Sequence, residues 1–352
     1  MKNTLLSVLS SAALAGLILL ATGSEAQAKI WRVDNNGGSP GDFTTAQAAH
    51  DAAAVQVNDT LYFNGSGTSY GGLTMTKRLY VFGPGFFLTQ NPETQASPNH
   101  AYLDQLRVDP GAAGSLITGM VTYRAYLFAS NTLFKRNYVA SSTHAVVIGD
   151  NGQLIGSYTP SNVLCVQNYI STTNGNRALW VASGCSNIIV TNNFIHSNNA
   201  GWQAVYALSS MIFANNMVYG ILETNNTDVT NTYLYTGSIT GSGNSYHNNI
   251  CNGTQFPSGN GNVQNQPLSN ICVATGSDDG YYQLKPNTTS PAFTNPAIGT
   301  GVGGVDMGMF GGTDPYVLSG MPAIPAIWSF SAPSSGSGAS GLQVQIKAKS
   351  HN

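Results

Sequence analysis

Short runs of β-branched and apolar residues, each ending in a polar corner, recur through the middle of the chain. Aligned without gaps, they are Asn131-Thr-Leu-Phe-Lys-Arg-Asn137, Asn162-Val-Leu-Cys-Val-Gln-Asn168, Asn187-Ile-Ile-Val-Thr-Asn-Asn193, Ser210-Met-Ile-Phe-Ala-Asn-Asn216 and Gly243-Asn-Ser-Tyr-His-Asn-Asn249. The anchoring Asn137, Asn168, Asn193, Asn216 and Asn249 are separated by steps of 31, 25, 23 and 33 residues. A minimum step in the low twenties with variable excess suits a solenoid whose coils share fixed strands and accept insertions at turns. The apolar run predicts a strand, and the Asn ends it, because asparagine tolerates left-handed backbone angles and bonds locally. Stacked coil on coil, these amides can bond to one another and to buried backbone, so they read as a structural ladder rather than as chemistry.

A second column lies between these runs: His144-Ala-Val-Val-Ile, Arg177-Ala-Leu-Trp-Val, Gln203-Ala-Val-Tyr-Ala and Thr232-Tyr-Leu-Tyr-Thr. Two strand columns and an Asn corner per coil describe stacked parallel sheets with few open edges. The N-terminal part differs. Ile30–Val33, Thr60–Phe63 and Leu79–Phe82 predict strands, and Ala46–Ala54 a short helix opened by a capping box over Thr44–Gln47, placed to close the end of the stack. Residues 29–64 are therefore expected to be the cap, and 29–312 the solenoid. Residues 313–352 form an extension in which 327–330 and 342–346 pair as a hairpin around a Ser/Gly-rich loop. Leu133, Leu164, Ile189 and Ile212 are expected to face outward as an apolar stripe, if Phe134, Cys165, Val190 and Phe213 face inward. The segment from Pro322 to Ile346 is its first candidate cover.

The N-terminus changes the setting. A cationic start, the apolar run Leu5–Leu20 and Ala26-Gln27-Ala28 have the form of a cleaved signal peptide over 1–28, so the chain is expected to be secreted or held at the cell surface. No later stretch is apolar and long enough to span a bilayer. Only 8% of residues are charged, against roughly 25% in typical proteins, and the net charge is -2, which leaves no footprint for nucleic acid. Cys165, Cys185, Cys251 and Cys272 could form disulfides in any of three pairings or stay as buried thiols, and no zinc spacing is present.

The repeated x-Asn-Asn-x-Ile coils, the opening Gly41-Asp-Phe-Thr-Thr-Ala-Gln-Ala-Ala49 and the ending Asp306-Met-Gly308-Met-Phe310-Gly311 carry a resemblance over about residues 30–312. The chain resembles the right-handed parallel β-helix proteins of the pectin-lyase-like superfamily. That likeness implies an all-β, right-handed parallel β-helix, but no single activity, because the fold hosts lyases, hydrolases, esterases and non-enzymatic surface proteins. A lyase of this kind would pair an Arg or Lys base with carboxylates holding calcium. The candidates are Arg177, Asp150 and Glu223, with Asp228 in the same insertion as Glu223. Clustered aspartates for hydrolysis are not evident. Asp278-Asp279 reads as a turn, and His196 and His247, at different repeat positions, as loop histidines.

By the coil pattern of that superfamily, Leu179 and Val181 point inward and Trp180 outward. Tyr206 and Tyr235 are then expected at the same place on the next two coils, as an exposed aromatic ladder with Arg177 and Gln203 beside it. Sugar rings lie well on aromatic faces, and Arg177 and Gln203 could bond hydroxyls or a carboxylate. The same ladder could equally be self-stabilising. Three functions follow: an exported polysaccharide-engaging protein, a non-enzymatic structural or adhesive surface protein, or a calcium-dependent lyase. The scarcity of charge favours no enzymatic activity.

Overall fold

In a computed structural model the described residues are 28–352 without 39–40, 175–176, 337, 339–340 and 352. All but the last residue of the expected signal peptide lies outside them. The chain is a right-handed parallel β-helix of three parallel sheets with ten, eight and eight strands. One full coil shows the plan. Leu133–Lys135 lies in the first sheet, Tyr138–Ser141 in the second and Val146–Ile148 in the third, and Leu164–Val166 returns to the first. The sequence suggests two columns; the third is the second sheet, whose strands start directly after the Asn corner, as Tyr138–Ser141 does after Asn137.

From Asn137 to Asn216 the Asn column is unbroken. The backbone N–H of Asn137 donates to Asn168 Oδ1 (2.9 Å), that of Asn168 to Asn193 Oδ1 (2.8 Å) and that of Asn193 to Asn216 Oδ1 (3.0 Å). Each amide Nδ2 reaches back to a strand carbonyl of the preceding coil, as Asn168 does to Phe134 (2.9 Å) and Asn193 to Cys165 (2.8 Å). All five asparagines are fully buried. The left-handed residue is not the ladder Asn but the one before it: Arg136, Gln167, Asn192, Asn215, Asn231 and Asn248 have φ between 49° and 58°.

The 33-residue step from Asn216 to Asn249 is two coils. Thr232 occupies the ladder position between them, accepting from Asn216 N (3.4 Å) through Oγ1 and donating its own N–H to Asn249 Oδ1 (2.9 Å). The strand after it, Tyr233–Thr236, therefore belongs to the second sheet, pairing Met217–Tyr219. The expected membership of the Thr232–Thr236 run in the column of Arg177 and Gln203 is thereby corrected. Thr232→Asn should restore a shorter acceptor for Asn216 N–H and raise the unfolding free energy by about 1 kcal/mol. Chemical denaturation would check this, and a loss of stability would show that these short coils cannot take the longer amide.

The interior is filled by inward residues of all three sheets, including Phe134, Cys165, Val190, Phe213, Leu179, Val181 and Val205. The four cysteines are free and buried, and burial pushes Cys165 and Cys272 up to about 12 and Cys185 to about 11. The N-terminal helix, Ala46–Asp51, sits where expected but is capped by Thr45. Gln47 instead accepts from Thr74 N (2.8 Å), tying the helix to the strand Leu73–Met75. Ala46 and Ala49 close the core.

The apolar stripe Leu133, Leu164, Ile189 and Ile212 is in register on the outside of the first sheet. Its expected cover reaches only one end, where Ala323 and Ile324 share a hollow with Leu116 and Leu133, and Ile212 stays 55% exposed. The second sheet is covered by residues 268–316. Met307, Met309, Tyr316, Tyr282 and Leu268 pack with Phe86 against Phe194, Met217, Tyr233 and Ile250. Residues 300–321 also run back along the left-handed corner, where Asn248 donates to Thr300 O, Asn192 to Met309 O and Gly311 O, Gln167 to Asp314 O, and Arg136 to Met321 O. Asp279 holds this strap. Its buried carboxylate accepts from Asn91 Nδ2 (2.9 Å), Ser277 Oγ (3.0 Å), Gly280 N (3.0 Å), Tyr316 OH (3.3 Å) and Ser319 N (2.6 Å). The expected final hairpin forms, pairing Ala326–Ser331 with Gln345–Lys349 antiparallel, but its second strand lies three residues later than the sequence suggests, with 342–344 left outside it. No helix among the described residues is long and apolar enough to cross a membrane.

Candidate functional site

The outer face of the third sheet carries two adjoining rows. One runs through Arg107, Tyr126, Val147, Trp180, Tyr206 and Glu223 on successive coils, three of them aromatic. The alternation behind it is as expected, with Leu179 and Val181 in the interior cluster and Trp180 in a separate outer one. The second row stands at the strand entrances and is polar: Arg124, His144, Arg177 and Gln203.

Two expectations about this face are corrected. Tyr235 is not on it; it lies in the second sheet beside Tyr219 (ring centroids 5.6 Å) and Tyr233 (6.2 Å). The residue that follows Tyr206 in register is Glu223, whose Oε2 accepts from Gln203 Nε2 at 3.2 Å. Nor is Trp180 exposed. Its side chain points outward yet is 2% accessible, because neighbouring coils fold their side chains over it. The His144 ring stands edge-on to it at 5.1 Å and 73°, Tyr206 at 6.1 Å and 65°. The Arg177 guanidinium carbon lies 4.6 Å from the Trp180 ring centre and 3.7 Å from that of Tyr206, within cation–π reach of both.

The electrostatics are one-sided. Arg124 donates to His144 O (3.2 Å) and Tyr126 OH (2.8 Å) and to the Thr143 hydroxyl, all neutral acceptors. Among the described residues neither Arg124 nor Arg177 has a carboxylate within ion-pair distance, whereas Arg107 is tied to Asp109. Burial, reinforced by Arg177 and Arg124, pushes His144 down to about 4. His144 Nδ1 and Trp180 Nε1 are both buried with no hydrogen-bond partner.

The shift has a measurable sign. Between pH 4 and about 6.5 the unfolded chain protonates this histidine and the folded chain does not, so stability should rise with pH across that window. His100 and His196, also lowered by burial, act in the same sense. His144→Gln should therefore reduce the slope without abolishing it. Denaturant midpoints at several pH values would test this, an unchanged slope counting against the assignment.

The carboxylates suggested for calcium are dispersed. Asp150 is fully buried and collects the backbone N–H groups of Gln153, Leu154, Ile155 and Gly156, organising its own loop. Glu223 lies on the third sheet, and Asp228 on the outside of the first, bonded to Ser245 Oγ (2.7 Å). Among the described residues no group of three His, Cys, Asp or Glu is placed to hold a metal ion. Arg177, Gln203, Trp180, Tyr206 and Glu223 are brought together; Asp150, Asp228 and Tyr235 are not.

Sequence reading missed Arg124 and Tyr126, which extend the face towards the N-terminus, and Trp202, 44% exposed just before the strand Gln203–Ala207. The coil of Arg124 and Tyr126 offers no Asn signal, since Met120 holds the ladder position there and donates its N–H to Asn137 Oδ1 (3.1 Å). Comparisons with protein-family models, with curated proteins and with solved structures find no match.

Proposed function

We propose that this is an exported, polysaccharide-binding β-helix protein that holds an acidic glycan along the outer face of the third sheet. One observation carries the reading: Arg124 and Arg177 present two positive charges beside aromatic rings, with neutral His144 between them and, among the described residues, no carboxylate within ion-pair distance of either. Buried or half-buried cations without a counter-ion favour an anionic ligand, and an arginine fork matches a carboxylate or sulfate. Tyr206 and Trp202 add apolar faces for sugar C–H groups, and Gln203 and Glu223 add polar groups for hydroxyls. Export rests on the N-terminal segment, and kinship with the pectin-lyase-like superfamily on the repeat pattern.

Glycan-array binding with Arg124→Gln/Arg177→Gln and Trp180→Ala/Tyr206→Ala variants tests the proposal. Wild type should retain acidic polysaccharides over neutral ones, and each double variant should lose at least ten-fold in affinity. Equal binding by all three, or none by any, would leave the second reading. That reading is a rigid spacer whose aromatic row stabilises itself, and the burial of Trp180 favours it.

A further inference from the structure

Trp180 lies in an outer cluster of side chains with Tyr126, Phe128 and Val147. His144, Tyr206 and Arg177 lie against it, and of these Arg177 spans both rings of the aromatic row. A guanidinium so placed with no carboxylate partner has weaker contacts than it would make with an anion, since hydrogen bonds to a charged acceptor exceed a cation–π contact. Beneath it are two nitrogens left unpaired, Trp180 Nε1 and His144 Nδ1, in side chains whose rings are 5.1 Å apart. Buried polar atoms in native proteins are nearly always bonded, and one aromatic pair carrying two exceptions marks a place where a ligand's polar groups fit.

We propose that Arg177 is a movable cover over a sugar subsite. The negative group of an acidic glycan draws the guanidinium off the rings. This opens the Trp180 face to a sugar ring and brings glycan hydroxyls within reach of Trp180 Nε1 and His144 Nδ1. No covalent step is involved, and the charge that recruits the ligand is also what uncovers its platform. The inference rests on the polysaccharide-binding reading and adds a selection rule to it: a neutral glycan of the same shape leaves Trp180 shut.

Tryptophan fluorescence isolates the event, with Trp180→Phe subtracted to remove Trp31, Trp202 and Trp328. Calorimetric titration with a linear polyuronate, and with a neutral galactan as counterpart, measures binding independently. The Trp180 emission of wild type should change with the same midpoint as polyuronate binding and stay constant with galactan. In ligand-free Arg177→Ala and Arg177→Gln, acrylamide quenching of Trp180 should rise at least two-fold, because the cover is gone. Polyuronate binding without any Trp180 response, together with unchanged quenching in both variants, overturns the cover and leaves the binding reading standing. Absence of calorimetric binding overturns both.

Discussion

Asn168→Ala should lower the unfolding free energy by about 4 kcal/mol, while Asn162→Ala, six residues away in the same coil, should cost only about 1 kcal/mol, most of it from placing alanine at a left-handed φ of 57°. Both asparagines belong to ladders. Asn162 Nδ2 donates to Asn131 Oδ1 (3.0 Å) and its Oδ1 accepts from Asn187 (2.8 Å), but that column is exposed to water, which replaces what alanine removes. Asn168 is fully buried. Truncating it leaves the N–H of Asn137 and the carbonyl of Phe134 without partners in the dry corner. Each orphan costs about 1–3 kcal/mol. Denaturant unfolding of the two variants beside wild type decides the matter, and equal effects would mean that the buried column does not determine stability.

Asp279→Ala should cost about 3 kcal/mol, with the loss confined first to the strap. The carboxylate takes five hydrogen bonds from three separate stretches of chain, and Ser319 N and Tyr316 OH are left buried without an acceptor when it goes. Amide exchange is the discriminating measurement. Protection should fall over residues 307–320 while the amides of Asn168 and Asn193 keep theirs. Uniform loss across the coils would contradict a local clasp. Asp279→Asn, which keeps one acceptor oxygen, should recover part of the difference.

The stacking architecture could be read from the sequence because each ladder asparagine is a core residue directly beside a left-handed corner, so it recurs with the same neighbours. The reading broke where the physics allowed another residue. Thr232 supplies an acceptor oxygen as Asn does, and hiding one coil there moved Tyr235 onto the wrong sheet. The direction of Trp180 followed from strand alternation, which is local. Its burial did not, because Arg177 shares that cover with His144 and Tyr206, which come from other coils. Arg124 was invisible for the same reason as its coil, which has Met120 where the pattern wants Asn. Asp279 sits in a stretch that reads as an ordinary turn, and its role depends on partners as far away in sequence as Asn91.

The strap also bears on how the molecule comes apart. A bare solenoid touches only its nearest neighbours, so its end coils can peel away one after another. Here residues 300–321 lie along successive corners from Asn248 to Arg136, in the direction opposite to the winding. Fraying at the terminal coil must first strip part of that seam, and each broken corner loosens the seam over the next. Mechanical or thermal unravelling should therefore proceed as a single rupture instead of a staircase of small steps.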